Sequence, residues 1–483
     1  MGAVVMLTSG FGPGLSPHPG PLLKGAGGAR RILVMPVDEA RVAALERFHA
    51  AAKTRILRVF PGQGSVQVLE LSAGEPIEEA LASYRASGLV RFAEPDYAVS
   101  AAGLLPSDPH FQDGTQWSLN NYGQSSGLPD ADIDGPEAWD VRWSASNVVV
   151  AIVDTGVRHT HEDLAGNMWR NPADNTPGFN GLTGGHDPWD DNGHGTHLAG
   201  IIGAVGDNAL GIAGVAWRVQ IMACKFLDST GNGYNSDAIS CIEFARTNGA
   251  NIINLSWGGP DYSDAVSNAL WFARRDGIVV VAAAGNNAAN TDLIPFYPAG
   301  IRLDNIVAAG ASTRLDGVWI LSNYGVASVD LFAPGAAIYS TANTGDSAYV
   351  SQDGSSMASA CVAGACALLR AQEPALPPAG LIGRLLAAVD KKPAFANKCA
   401  SGGRLNLRRA LDRPAITALP NAPPFELLVT GAPQHWYVIE ASTNLATWSA
   451  VQTNRTDAFG AWTFTDPPHT SQPLRFYRAG PGP

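Results

Sequence analysis

Five continuous apolar runs constrain this chain most: VVVAIVD (Val148–Asp154), VQIMACKFL (Val219–Leu227), ANIINLS (Ala250–Ser256), IVVVAAAG (Ile278–Gly285) and NIVAAGA (Asn305–Ala311). A strand with one wet face alternates apolar and polar residues, and these runs do not. They are strands buried on both sides. Segments with helical spacing, such as Ser236–Thr247 and Asp264–Asp276, separate them. Buried strands alternating with helices form a parallel sheet covered on both faces. The fold expected over residues 101–412 is therefore α/β, a doubly wound parallel sheet.

Smaller units flank this one. Residues 30–100 read as a small α+β domain. Ile32–Val37, Val66–Leu71 and Val90–Val99 have strand character, and Asp38–Ala52 and Glu75–Ala86 have helical spacing. With Thr54–Phe60 as a further strand the order is β-α-β-β-α-β. Residues 1–29 stand as an N-terminal leader: the apolar run Ala3–Leu7 is too short for the core of a signal peptide, and Gly12–Gly28 is rich in Pro and Gly. Residues 413–424 read as a Pro-rich linker. From 425 to 483, FELLVTG, HWYVIEAS, AWTFTD and LRFYRA, spaced by turn residues, predict a small antiparallel β-domain.

Charge removes several function classes. The formal net charge of −11 repels nucleic acid and anionic membrane. No stretch approaches the ~20 apolar residues of a membrane span. Five cysteines at scattered spacings make neither a disulfide framework nor a metal pattern and read as small buried hydrophobes. No H-E-x-x-H spacing is present, which argues against a zinc hydrolase. The acidic trio Asp187, Asp190 and Asp191 reads as a solvated loop.

Three segments each set one reactive residue type among small residues. In VVVAIVDTGV, Asp154 ends a buried strand, where open parallel sheets build ligand sites. In DDNGHGTHLAGII, His194 sits between glycines at a helix start. In DGSSMASACVAGACALLR, Ser356 lies at the head of a small-residue helix, near unpaired N–H groups. Acyl transfer needs a hydroxyl nucleophile, an imidazole to move its proton and a carboxylate to hold the imidazole. Asn286, in VVVAAAGNN, could donate to a developing oxyanion beside the Ser356 N–H. Ser355 is a second hydroxyl next to the first.

The segments DTG, HGTH, AAAGN and GSSMA together resemble the active-site signatures of the subtilisin-like serine proteases, the subtilase family, over residues 106–412. The resemblance implies an endopeptidase with Asp154, His194 and Ser356 as triad and Asn286 in the oxyanion hole. Arg30–Val99 is similar to the family's inhibitory propeptides, which implies an intramolecular inhibitor and self-processing near Ala101–Ser107. NLSWGG resembles the strand that pairs with substrate, so Ser256, Trp257 and Gly258, with Ala284, Gly285 and Phe296, are expected to bind polypeptide substrates, and Trp257, Asn287 and Phe296 point to an uncharged, apolar or small side chain before the scissile bond. Asp163, Asn208 and the carbonyls of Leu210 and Ile212 match positions where the family holds structural calcium. No organic cofactor is implied. A monomer that is secreted or displayed on a bacterial surface is expected, although no signal peptide is legible. The chain departs from the family at Ser355, usually Thr, and at Ala360–Cys361, usually Pro-His.

Overall fold

The computed structural model describes residues 31–38, 41–60, 64–71, 77–96, 104–412, 415–418, 426–430, 436–444, 447–456, 461–465 and 475–481. The leader expected at 1–29 lies outside them, as do Ala101–Gly103 of the expected processing segment Ala101–Ser107. The chain divides into two units, residues 1–102 and 103–483.

In the first unit the order is β1 (Arg31–Pro36), α1 (Val42–Ala51), β2 (Arg55–Phe60), β3 (Val66–Glu70), α2 (Ile77–Ala86) and β4 (Val90–Pro95). This is the expected β-α-β-β-α-β order. The strands pair antiparallel as β2-β3-β1-β4. Alternate residues of a strand share a face, so Ile32 and Val34 turn together onto Leu45 of α1 and Leu81 and Tyr84 of α2. The helix α1 begins at Val42, later than its spacing predicts, and ahead of it Asp38 Oδ1 accepts the Arg41 N–H at 3.0 Å.

In the second unit the chain runs α3 (Pro109–Gln112), α4 (Gly135–Trp139), β5 (Ser144–Asp154), β6 (Gly178–Asn180), α5 (His194–Gly203), β7 (Arg218–Lys225), α6 (Asn235–Thr247), β8 (Ile252–Leu255), α7 (Asp264–Arg275), β9 (Val279–Ala283), β10 (Ile306–Ser312), β11 (Leu331–Pro334), β12 (Ile338–Thr341), β13 (Tyr349–Gln352), α8 (Ser355–Gln372), α9 (Pro378–Ala387), β14 (Asp390–Lys391), β15 (Gly403–Arg404) and α10 (Leu407–Leu411). A nine-stranded sheet has the order β14-β15-β11-β10-β9-β8-β5-β7-β6, parallel except at β14. The strand β5 shows why its run is continuous. Val148, Val150 and Ile152 pack toward α5 and α8, whereas Val149, Ala151 and Val153 pack toward α6 and α7. The helix α8 is buried from Ser355 to Arg370. Small residues let it pass close to its neighbours: a Cβ at Gly364 would lie 2.6 Å from Val215 Cβ. Cys361 and Cys366 are enclosed there, and burial pushes both thiols up to about 12. All five cysteines are buried and free, as their apolar surroundings predicted.

The hairpin β12–β13 was not anticipated, because its strands carry little apolar alternation. In the tail, β16 (Ala415–Ala418), β17 (Glu426–Thr430), β18 (Trp436–Ser442), β19 (Ser449–Arg455), β20 (Ala461–Thr465) and β21 (Phe476–Pro481) form two three-stranded antiparallel sheets, β16-β17-β20 and β19-β18-β21. Leu427, Val429, Tyr437, Ile439, Trp462 and Phe464 share their core. The strand β16 falls in the stretch read as a linker, where it pairs with β17. The Tyr437 hydroxyl donates to Asp412 at the end of α10.

Candidate active site

Asp154 is the last residue of β5 and is fully buried. Its Oδ1 accepts the Thr155 N–H at 2.8 Å and meets His194 Nδ1 at 2.7 Å. Facing a carboxylate, Nδ1 carries the proton, which leaves Nε2 as the basic atom. His194 opens α5, and two contacts set its place. The Thr155 hydroxyl accepts the Gly195 N–H at 2.8 Å, and a side chain on Gly195 would run into the Gly156 carbonyl. The two motifs thus touch through bare backbone, which their glycines permit. Burial pulls the His194 pKa down, but the Asp154 charge, its hydrogen bond and the more distant Asp190 outweigh this, and the net shift is upward.

Asp190 corrects the reading of the acidic trio as a solvated loop. It is buried, and its Oδ1 accepts the N–H groups of Asn192 and Gly193 at 3.0 and 2.8 Å. Its Oδ2 accepts the Thr196 N–H and hydroxyl at 2.9 and 2.5 Å. It therefore satisfies first-turn donors of the helix that presents His194, and its charge is favourable at that end. Asp191 pairs with the buried Lys225 at 2.6 Å. His197, one turn on, points its Nε2 at the Ile338 and Val350 carbonyls, both 3.1 Å away. Burial lowers its pKa to about 4. It is a neutral packing residue.

Ser356 sits in the first turn of α8. Its hydroxyl donates to the Ser256 carbonyl at 3.1 Å and makes no hydrogen bond to His194, so a turn about χ1 is needed to engage Nε2. Such bonds commonly tighten only once substrate is bound. Ser355 is no competitor: it is fully buried, its Oγ accepts the Gly285 N–H at 3.0 Å, and it donates to Asn286 Oδ1 at 2.8 Å. Asn286 Oδ1 also accepts the Ser355 N–H at 2.9 Å. Two donors on Oδ1 fix the amide's orientation and leave Nδ2 to donate elsewhere. Ala360 and Cys361, the departures in the following helix, are fully buried.

Thr155, His194, Ser256, Trp257, Gly258, Gly285, Asn286, Phe296 and Ser356 line one cleft of about 460 Å³. The structure thus gathers the predicted triad, the amide and most of the predicted substrate residues. Ala284 is the exception. It packs with Val329 and Phe332 in a separate buried cluster, while Ala283, on the other face of the strand, lines the cleft. Ser256 contributes backbone, since its hydroxyl is bonded to Ser359 at 2.8 Å.

The predicted calcium residues also converge. Asp163 is fully buried; its Oδ1 accepts from Asn208 Nδ2 at 2.8 Å, and its Oδ2 accepts the Ile212 N–H at 2.9 Å and the Tyr349 hydroxyl at 2.8 Å. The structure adds Asp108, which sequence reasoning missed. It is buried beside this loop, accepts the Asp207 N–H at 2.6 Å on Oδ2, and has no partner on Oδ1. Burial raises its pKa to about 6; the Asp207 N–H opposes the rise and the Asp163 charge adds to it. An unpartnered buried carboxylate oxygen near a second carboxylate is a donor set that fits a hard divalent cation. Among the described residues no cluster of three or more acidic, His or Cys side chains accompanies them, so backbone carbonyls such as Leu210 and Ile212 would complete the shell. Asn208 would have to offer Oδ1 in place of its nitrogen.

Comparison with known proteins identifies the family. The sequence profile of the subtilase family, Peptidase_S8, matches residues 145–402, and that of the fervidolysin N-terminal prodomain matches residues 32–96. The chain is 40% identical to a thermophilic serine proteinase of Bacillus sp. (strain AK1) over 305 residues, covering 63% of this chain and 68% of that protein. It is 40% identical to thermitase of Thermoactinomyces vulgaris over 267 residues, 55% of this chain and 86% of that one. It is 35% identical to the cell wall-associated protease of Bacillus subtilis (strain 168) over 307 residues, 63% of this chain and 32% of that protein. A solved protease of Pseudoalteromonas arctica superposes with a TM-score of 0.54 at 30% identity, covering 63% of this chain and 98% of that chain. The chain belongs to the subtilase family of serine proteases and carries an N-terminal prodomain.

Proposed function

We propose that the protein is a self-processing endopeptidase that cleaves polypeptides through an acyl-enzyme on Ser356. The observation that carries this reading is the 2.7 Å contact of His194 with buried Asp154 in the cleft that Ser356 and Asn286 also line. His194 Nε2 takes the Ser356 proton as Oγ attacks the scissile carbonyl, and returns it to the leaving amine. Asp154 holds the ring and stabilises its charged form. The oxyanion is met by Asn286 Nδ2 and by the Ser356 N–H, for which no acceptor occurs among the described residues. The segment Ser256–Gly258, continuing β8, pairs with extended substrate backbone.

The prodomain acts first as an intramolecular inhibitor and is then released by cleavage near Ala101–Ser107. Asp163, Asn208, Asp108 and the Leu210 and Ile212 carbonyls hold a structural calcium, which pins the loop before β7 and takes no part in bond cleavage. Likeness to a cell wall-associated protease supports action outside the cytoplasm. Among the described residues no helix is long and apolar enough to cross a membrane. Kinetics on matched peptide ester and amide substrates tests the assignment. A peptidase hydrolyses both, with a burst of leaving group from the ester; hydrolysis of the ester alone would mark an esterase and overturn it.

A further inference from the structure

We infer that Phe296 closes off the pocket for the residue preceding the scissile bond, restricting cleavage to sites after Gly, Ala or Ser. The inference rests on the acyl-enzyme reading of the cleft. The pocket lies between the Ser256–Gly258 and Ala283–Gly285 segments, and each of them brings one glycine, Gly258 and Gly285, to the cleft. Glycine walls normally leave a slot between two bare backbones. Here a ring fills it. A Cβ on Gly258 would lie 2.5 Å from Cε1 and 2.9 Å from Cζ of Phe296, and one on Gly285 would lie 3.1 Å from both Cδ1 and Cδ2. One phenyl group therefore touches both walls and occupies the space that a large substrate side chain would need.

The ring is anchored from behind. The next residue, Tyr297, exchanges two backbone hydrogen bonds with Gly259, at 2.7 and 2.9 Å, and the Phe296 carbonyl accepts the Gly300 N–H at 2.7 Å. The backbone that follows Phe296 is thus tied to the end of one wall and closed into a turn at Gly300, and vacating the slot requires a rotamer change by a large aromatic side chain. At the start of the range proposed for self-processing, Ala101–Ser107, the sequence offers residues that would fit such a pocket. Ser100, Ala101, Ala102 and Gly103 offer four consecutive small residues, followed at once by bulky Leu104 and Leu105.

The test uses self-processed wild-type protein and Phe296→Gly, each active-site-titrated with a fluorophosphonate. Both are assayed on tetrapeptide p-nitroanilides that differ only in the last residue, Gly, Ala, Ser, Leu or Phe. In the wild type kcat/KM for Ala should exceed that for Phe by about 100-fold, and Phe296→Gly should shrink this ratio at least about tenfold. Should Phe296→Gly not fold, Phe296→Leu is expected to relax the ratio in part. Sequencing of the mature N-terminus should place the cut after Ser100, Ala101, Ala102 or Gly103. Equal rates on Ala and Phe, a ratio indifferent to residue 296, or a cut after Leu104 or Leu105 by titratable enzyme would overturn the inference alone. Absence of any label at Ser356 in folded, processed protein would instead remove the acyl-enzyme reading, and the inference with it.

Discussion

The Ser355 hydroxyl stands between Gly285 and Asn286, accepting the Gly285 N–H at 3.0 Å and donating to Asn286 Oδ1 at 2.8 Å. The residue beside the nucleophile therefore aims the amide across the cleft from it. Replacement of the family's usual Thr by Ser keeps the hydroxyl and, with it, this bond.

Asn286→Ala is expected to lower kcat roughly 100- to 1000-fold, the range set by the equivalent donor in subtilisin, a member of the same family. Ser355→Ala should cost about tenfold, the worth of one neutral hydrogen bond, mostly in kcat. Ser355→Thr should restore activity. Steady-state kinetics on one amide substrate checks all three.

Acid is expected to limit the rate through His194, the proposed base. The base must be neutral, and its pKa in the folded protein lies above the ordinary histidine value, because the Asp154 charge and hydrogen bond outweigh burial. Activity is expected to fall as pH drops through that raised value. Asp154→Asn removes the raising charge, so the acid limb of kcat/KM should move to lower pH while the rate falls by several orders of magnitude.

His49 is expected to make the prodomain acid-sensitive. It is buried, with Nδ1 2.8 Å from the Tyr84 hydroxyl and Nε2 2.7 Å from Gln67 Oε1. Burial lowers its pKa, against the Gln67 bond and the nearby Glu46 charge. A depressed folded pKa contributes stability that is full above the unfolded value near 6.5 and is lost as pH falls through the folded one. Hydrogen exchange of β1 and β3 in full-length Ser356→Ala should lose protection as pH falls below about 6.5. His49→Phe should flatten that dependence.

Calcium is expected to stabilise the unit containing Asp108 and Asp163. At a hundredfold excess over Kd a bound ion contributes about 2.7 kcal/mol, so chelation should lower Tm by several degrees. Asp108→Asn and Asp163→Asn should abolish the calcium dependence of Tm. A Tm identical in calcium and in chelator would argue against the site.

The sheet was legible because β5, β7, β8, β9 and β10 are buried on both faces and so read as unbroken apolar runs. The proposed triad was legible because Asp154, His194 and Ser356 each sit among small neighbours that allow close backbone approach, as Gly195 against Gly156 illustrates. What escaped depends on tertiary partners. Asp190 reads as any loop acid in sequence, since its bonds to Gly193 and Thr196 form only in the fold, and Asp108, far from Asp163 in sequence, comes within reach of its charge only there. The β12–β13 hairpin lacks apolar alternation, and β16 hides among prolines. The side on which Ala284 falls depends on strand phase, which a continuous apolar run does not reveal.

The most direct measurement compares full-length wild type with Ser356→Ala by intact-mass analysis and fluorophosphonate labelling in the presence of calcium. The expected result is that wild type alone sheds its first hundred or so residues and takes one label, mapped to Ser356. Folded wild type that stays full length and unlabelled, even after its prodomain is removed by another protease, would contradict the catalytic assignment.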